Sequence, residues 1–196
     1  AQAEGSAIDA AEAAMRDLGQ KPLFMVRAGE DTLDAALAAR GYAVKDPVVL
    51  YSAPVGALAT KRPPPVTSFE VWPPLAIEAE MWADGGIGPE RLAVMDRAAG
   101  PKTTLLGRLD DTPAGCAFVA CHGSQAMLHA LEIVPRFRRR GLARHLMRAA
   151  GFWAQYHGAD TLSVLVTKAN AGGNALYQGL GMRAEAGYHY RLHPGA

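Results

Sequence analysis

The chain has 196 residues, enough for one or two domains with a sizeable core, and 49% of them are hydrophobic. No apolar run approaches the roughly 20 residues that span a bilayer, and no charged-then-apolar leader segment opens the chain. Lysine plus arginine number 20 against 19 aspartate plus glutamate, a net charge of +1, which argues against a surface built to hold a nucleic-acid duplex. The expectation is a cytoplasmic protein with neither nucleic acid nor membrane as a partner.

In chain order, Ile8 to Leu18 reads as a helix, Phe24-Met25-Val26 as a strand, Leu33 to Ala39 as a helix and Val48 to Tyr51 as a strand. Ala59-Thr60-Lys61-Arg62-Pro63-Pro64-Pro65 cannot continue a helix or a central strand, because proline fixes φ and lacks a donor. Residues 60–66 are therefore read as a linker between a segment 1–59 and a domain 67–196. Val66 to Trp72 follows as a strand, then helices over Pro74 to Trp82 and Pro89 to Ala99, the second stopped by Gly100-Pro101. Lys102 to Leu109 and Gly115 to His122 are expected to form a hairpin across the five residues Asp110 to Ala114. Cys116 and Cys121 fall on one strand with opposite facing, so they cannot pair with each other, and no ligand cluster accompanies them to suggest a metal.

Ala126 to Val134 reads as a further strand and Leu142 to His157 as a helix with Leu142, Leu146, Ala149, Ala150 and Trp153 at helical spacing. Between them lies Arg136-Phe137-Arg138-Arg139-Arg140-Gly141. The first turn of a helix has unpaired N–H groups and the positive end of the macrodipole, and glycine lets an anion approach closely. Downstream, Thr161 to Thr167 is a β-rich run, followed by Asn170-x-x-Gly173-x-x-Leu176-Tyr177-x-x-x-Gly181-Met182 and by the aromatic strand Tyr188-His189-Tyr190-Arg191.

Arg138-x-x-Gly141-x-Ala143 resembles the pyrophosphate-binding turn of the GNAT acetyltransferase superfamily, and the Asn170 segment is similar to that superfamily's Asn-x-x-Ala-x-x-Leu-Tyr-x-x-x-Gly-Phe run. Gly173 departs from the usual alanine and Met182 from the usual phenylalanine. The order strand, two helices, three strands, helix, strand, helix, strand over 67–196 is also the GNAT order. The resemblance implies a mixed-sheet α/β GNAT fold and acetyl-CoA as cosubstrate, with no metal. It implies that Leu131 and Ile133 lie beside the acetyl and pantetheine groups. Arg139, Arg140, Gly141, Leu142, Ala143 and Arg144 would surround the pyrophosphate, with Arg138 bracing the turn or meeting a phosphate. Asn170 would bond the pantetheine arm or the adjacent turn.

For chemistry, the resemblance makes Tyr177 the general acid that protonates the leaving thiolate. His129 is similar in placement to a histidine of serotonin N-acetyltransferases that removes the amine proton through water, although Met127 stands where those enzymes have a second histidine. Glu132 is the alternative base. Strict alternation puts it on the other side of the strand from His129, and a bulge would change that parity. The expected acceptor is a small-molecule amine or amino acid. A protein N-terminal or lysine acceptor is the alternative, disfavoured by Leu165 where N-terminal acetylases often carry a glutamate. A non-catalytic acetyl-CoA-binding regulatory module is the other class, and a homodimer is compatible with each.

Shifted by 140 positions, residues 1–58 overlay the C-terminal end without gaps: Leu33 to Ala39 falls on Gly173 to Gly179, and Gly41-Tyr42 on Gly181-Met182. The segment is therefore read as a degenerate half of a second GNAT unit. Glu30 replaces Asn170, Leu37 replaces Tyr177, and no arginine–glycine turn precedes its helix. The chain opens at Ala1 without methionine, which leaves room for an upstream portion.

Overall fold

The computed structural model describes residues 2–193. Its elements are α1 (Gln2–Asp17), β1 (Leu23–Arg27), α2 (Asp31–Ala39), β2 (Ala43–Pro54), α3 (Val55–Leu58), β3 (Ser68–Val71), α4 (Ala76–Asp84), α5 (Pro89–Arg97), β4 (Lys102–Leu109), β5 (Thr112–His122), β6 (Gln125–Ile133), a short 3-10 turn at Pro135–Phe137, α6 (Leu142–Tyr156), β7 (Thr161–Thr167), α7 (Ala171–Gly179) and β8 (Arg183–Leu192). The expected order of elements after the proline-rich segment is present. The four-residue helix α3 is new, since Val55-Gly56-Ala57-Leu58 is too short to show a period.

Two compact units form. One takes the chain up to Leu50, Leu165–Asn174 and the residues from Ala184 on; the other takes Tyr51–Val164 and Ala175–Arg183. These borders differ from the sequence-based division at 59 and 67, because strands β2 and β7 each pass through a border. The outer ends of that division, residue 1 and residues 194–196, lie outside the described residues.

In the larger unit the strand order is β7-β6-β5-β4-β3. β6 and β7 run parallel from Gln125↔Thr161 to Leu128↔Val164, and the other neighbours are antiparallel. One face packs on α4 and α5 through Met81, Trp82, Met95, Leu106, Cys116 and Phe118. The other packs on α6, whose Leu142, Leu146, Met147, Ala150 and Trp153 are buried on one side. Each such leucine contributes about 1.5–3 kcal/mol by leaving water. Gly107 is small because a Cβ there would stand 3.1–3.2 Å from Leu142 and Leu146.

The β4–β5 hairpin corrects the sequence reading. Its loop is the two residues Asp110 and Asp111, both at positive φ (50° and 56°), and Leu109 pairs with Thr112. Two left-handed residues match the strand twist, which the five-residue loop drawn around Pro113 would not. Pro113 instead lies in β5 beside a register shift at Gly107/Arg108. Cys116 and Cys121 are free and buried, as their facing requires.

In the smaller unit the order is β1-β8-β2, with Leu23↔Leu192 to Arg27↔Tyr188 antiparallel. Its core is Ile8, Val26, Leu37 and Tyr42, joined by Phe24, Leu33 and Ala36. The Tyr42 hydroxyl donates to Glu12 at 2.8 Å, and burial followed by that carboxylate pushes the phenol up to about 12.

The 140-residue offset has a structural counterpart. α2 starts at 31 and ends at 39, α7 at 171 and 179; β2 and β8 begin at 43 and 183. Both helices end the same way. Gly41 and Gly181 have φ of +84° and +76°, and Tyr42 N and Met182 N donate back to Leu37 O and Tyr177 O, each at 3.1 Å. The left-handed turn requires glycine in each.

Candidate active site

The arginine turn leaves β6 at Val134. Phe137 is buried and anchors it, Arg139 takes a left-handed φ of +63°, and Gly141 at φ +88° opens α6. No side chain caps α6, and a Cβ built on Gly141 meets nothing within 4 Å. The first-turn N–H groups of Leu142, Ala143 and Arg144, which have no partner within the helix, lie at the positive end of this 15-residue helix. A phosphate fits that combination.

The arginines divide by role. Arg138 donates from Nε to Ile133 O and from a guanidinium nitrogen to Glu132 Oε1, each at 2.9 Å. These bonds tie the turn to the end of β6. Arg140 holds both oxygens of Asp110 at 2.7 and 3.0 Å, tying the turn to the hairpin. Arg144 donates to Gly179 O at the end of α7, at 3.1 Å. Arg139 is exposed.

On β6, Phe118 pairs with His129 but Cys116 pairs with Glu132, so the strand carries one extra residue there. The extra residue bends at Ala130, φ +51°, whose carbonyl accepts from Trp82 Nε1 at 2.8 Å. This bulge overturns the strict alternation. Phe118 and Cys116 share the α4–α5 face, so His129 and Glu132 share it too, while Leu131 and Ile133 turn toward the α6 face. Burial first, then the Arg91 charge, pulls the His129 pKa below its usual value. Glu132 has one oxygen engaged by Arg138.

The same face hides a carboxyl that the sequence reading missed. Glu78 is fully buried; its Oε2 accepts from Leu75 N (2.9 Å) and Thr104 Oγ1 (3.0 Å), and its Oε1 has no partner among the described residues. Burial pushes its pKa up. As the third residue of a helix it reads only as a capping glutamate, so the sequence carries no signal for its burial.

Tyr177, on α7, is buried, and burial pushes its phenol up to about 12. Its ring lies 5.8 Å from that of Tyr51, whose hydroxyl accepts from Gln178 Nε2. His129, Leu131, Glu132, Ile133, the turn 138–144 and Tyr177 all belong to the larger unit. Asn170 belongs to the smaller one, where its Oδ1 accepts from Gly173 N at 2.9 Å and caps α7. Gly173 is small for a packing reason: a Cβ would come within 2.9 Å of Val166 and 3.1 Å of the Asn170 side chain. Among the described residues no His, Cys, Asp and Glu group is placed to hold a metal, and no helix is long and apolar enough to cross a membrane.

Comparison with known proteins agrees with this geometry. A GCN5-related N-acetyltransferase from Kribbella flavida superposes with a TM-score of 0.71 at 20% identity, over 94% of this chain and 73% of its own. A conserved protein of unknown function from Staphylococcus epidermidis gives 0.73 at 10% identity, over 96% and 78%. A tandem GNAT protein from the clavulanic acid biosynthesis pathway gives 0.69 at 14%, over 94% and 67%. At these identities the likeness establishes the fold, a mixed-sheet α/β GNAT fold. No curated protein sequence matches the chain. The model of the acetyltransferase (GNAT) family matches residues 69–182, more than half of the chain, and the protein belongs to that family.

Proposed function

We propose that the protein is an N-acetyltransferase that moves an acetyl group from acetyl-CoA to the primary amine of a small molecule or amino acid, by direct attack in a ternary complex. The observation that carries this reading is the uncapped start of α6 behind a left-handed Gly141, reached directly from a bulged strand. Bound acetyl-CoA supplies an activated thioester carbonyl.

The chain's residues supply the rest. The turn from Arg139 to Arg144 offers backbone N–H groups and positive charge to the pyrophosphate. The β6 backbone at Leu131 and Ile133 offers hydrogen bonds to an extended arm. His129, kept neutral by burial, takes the ammonium proton through water so that a free amine attacks. The new N–C bond forms as the C–S bond breaks; the acylated nitrogen releases its surplus proton to water, and Tyr177, which keeps its proton at neutral pH, gives it to the departing sulfur and regains one from solvent. Glu132, engaged by Arg138, serves the turn rather than proton transfer. Asn170 organises the start of α7. The segment 1–59 is a degenerate half of a second GNAT unit; the 140-residue offset and the tandem organisation of one structural relative support this.

Calorimetric titration with acetyl-CoA should give one site per chain, and Gly141→Asp, which puts a carboxylate at the uncapped helix start, should abolish it without unfolding the protein. A folded Gly141→Asp variant that binds like wild type refutes the site. A panel of amines assayed for free thiol release then tests turnover; binding without release from any amine would point to a regulatory module.

A further inference from the structure

A cleft of about 320 Å³ lies wholly within the smaller unit. That volume is at the lower end of the range for ligand clefts, about 300–1,000 Å³. It sits where the two similar segments meet: Ala28 N donates to Gly187 O at 3.0 Å, and Lys168 N donates to Pro47 O at 2.7 Å. These are the same hydrogen bond related by the 140-residue offset.

The polar groups break that symmetry. His189 Nε2 lies 2.7 Å from Asp34 Oδ1, and Arg191 clasps the same carboxylate with two nitrogens at 2.7 and 3.0 Å. An ionised carboxylate only accepts, so Nε2 carries the hydrogen. At the matching positions of the other segment stand Asn174, Val49 and Tyr51. Asn174 bonds its own loop, and Tyr51 packs on Tyr177. The fold therefore builds this helix–strand junction once without any ion pair. A partly buried ion cluster gains little over a well-packed apolar contact in the same place, because desolvation offsets the attraction. Stability alone does not account for it.

The remaining charges specify a ligand. Arg27, on the cleft wall, is occupied by Glu30 at 2.8 and 3.1 Å. Lys168 and Asp31 also line the cleft, and neither side chain has an ion-pair partner among the described residues. One free ammonium and one free carboxylate in a small cleft match a small zwitterion. We propose that this cleft binds a free α-amino acid, with its carboxylate on Lys168, its ammonium on Asp31, and His189, held by Asp34, as the adjoining polar wall.

The test is calorimetric titration of the full chain, without acetyl-CoA, against the common free amino acids. At least one should bind at one site per chain. Its N-acetyl and its amide derivatives, each lacking one charge, should bind roughly tenfold more weakly or worse, as should Lys168→Met and Asp31→Asn to the parent amino acid. His189→Val, which copies Val49, should stay folded and lose the ligand. Gly141→Asp should leave the binding unchanged, which separates this site from the acetyl-CoA site. The proposal falls if no free amino acid binds, if binding survives both charge substitutions, or if His189→Val unfolds or binds like wild type.

Discussion

Tyr177 and His129 are both withdrawn from water, and that burial disfavours the charged form of each. For Tyr177 it keeps the proton on the phenol up to about 12; for His129 it keeps the proton off near neutral pH. Tyr177→Phe should leave acetyl-CoA affinity nearly unchanged and lower kcat by roughly 10²–10⁴, the usual scale for one proton donor. His129→Ala should lose most activity at low pH and recover as rising pH deprotonates the amine unaided; equal rescue of both variants would show that the two roles are not separate. The His129 shift also bears on stability. Its folded pKa lies below the unfolded value of about 6.5, so its contribution is present above that pH and is lost as pH falls. Urea titrations from pH 8 to 5 should show a smaller decline in His129→Gln than in wild type. The sequence singles out both positions, Tyr177 through its motif and His129 through its place before the turn, while their burial is a property of the fold. Glu78 carries no such mark, because a glutamate in a first helical turn is ordinarily solvated and only the packing of α4 against the sheet buries it.

β6 shows how one extra residue reassigns side chains along a whole element. The alternation of Ala126 to Val134 predicts His129 and Glu132 on opposite faces. The left-handed turn at Ala130 brings them to one face, and Trp82 holds the bulged carbonyl. Nothing local asks for the bulge at Ala130, since alanine has no preference for positive φ. The bulge depends on tertiary contact. The neighbouring glycine on β5 enforces the geometry: a Cβ on Gly115 would stand 2.6 Å from both Glu132 O and Ile133 Cδ1. Gly115→Ala should therefore destabilise the protein by about 1–3 kcal/mol, the usual cost of overpacking, seen as a lower Tm, and weaken acetyl-CoA binding by displacing β6. An unchanged Tm would mean that β6 yields freely. The arginine turn, by contrast, was legible in full, because Gly141 at a helix start announces its own backbone conformation.

For the whole molecule, acid should expose the Asp34 cluster. Hydrogen bonds, from Arg191 first and then His189, hold the Asp34 carboxyl down at about 2. Its folded pKa is depressed, so its stabilisation is complete above the unfolded value of about 3.9 and fades as pH falls toward 2. Denaturation from pH 6 to 2 should show a steeper loss in wild type than in Asp34→Asn; parallel curves would mean that the cluster contributes nothing. The sequence by itself determined the order of elements after the proline-rich segment, the arginine turn, the cysteine facing and the 140-residue correspondence. Those features rest on local periodicity, on residues with special backbone freedom and on spacing, all of which are written along the chain. Only the tertiary structure decided the tight Asp110-Asp111 hairpin, the shared face of His129 and Glu132, the burial of Glu78 and the meeting of Asp34 with His189 and Arg191 some 155 positions away. Each of these depends on which distant strand or helix stands opposite, and pairing partners leave no mark in local sequence.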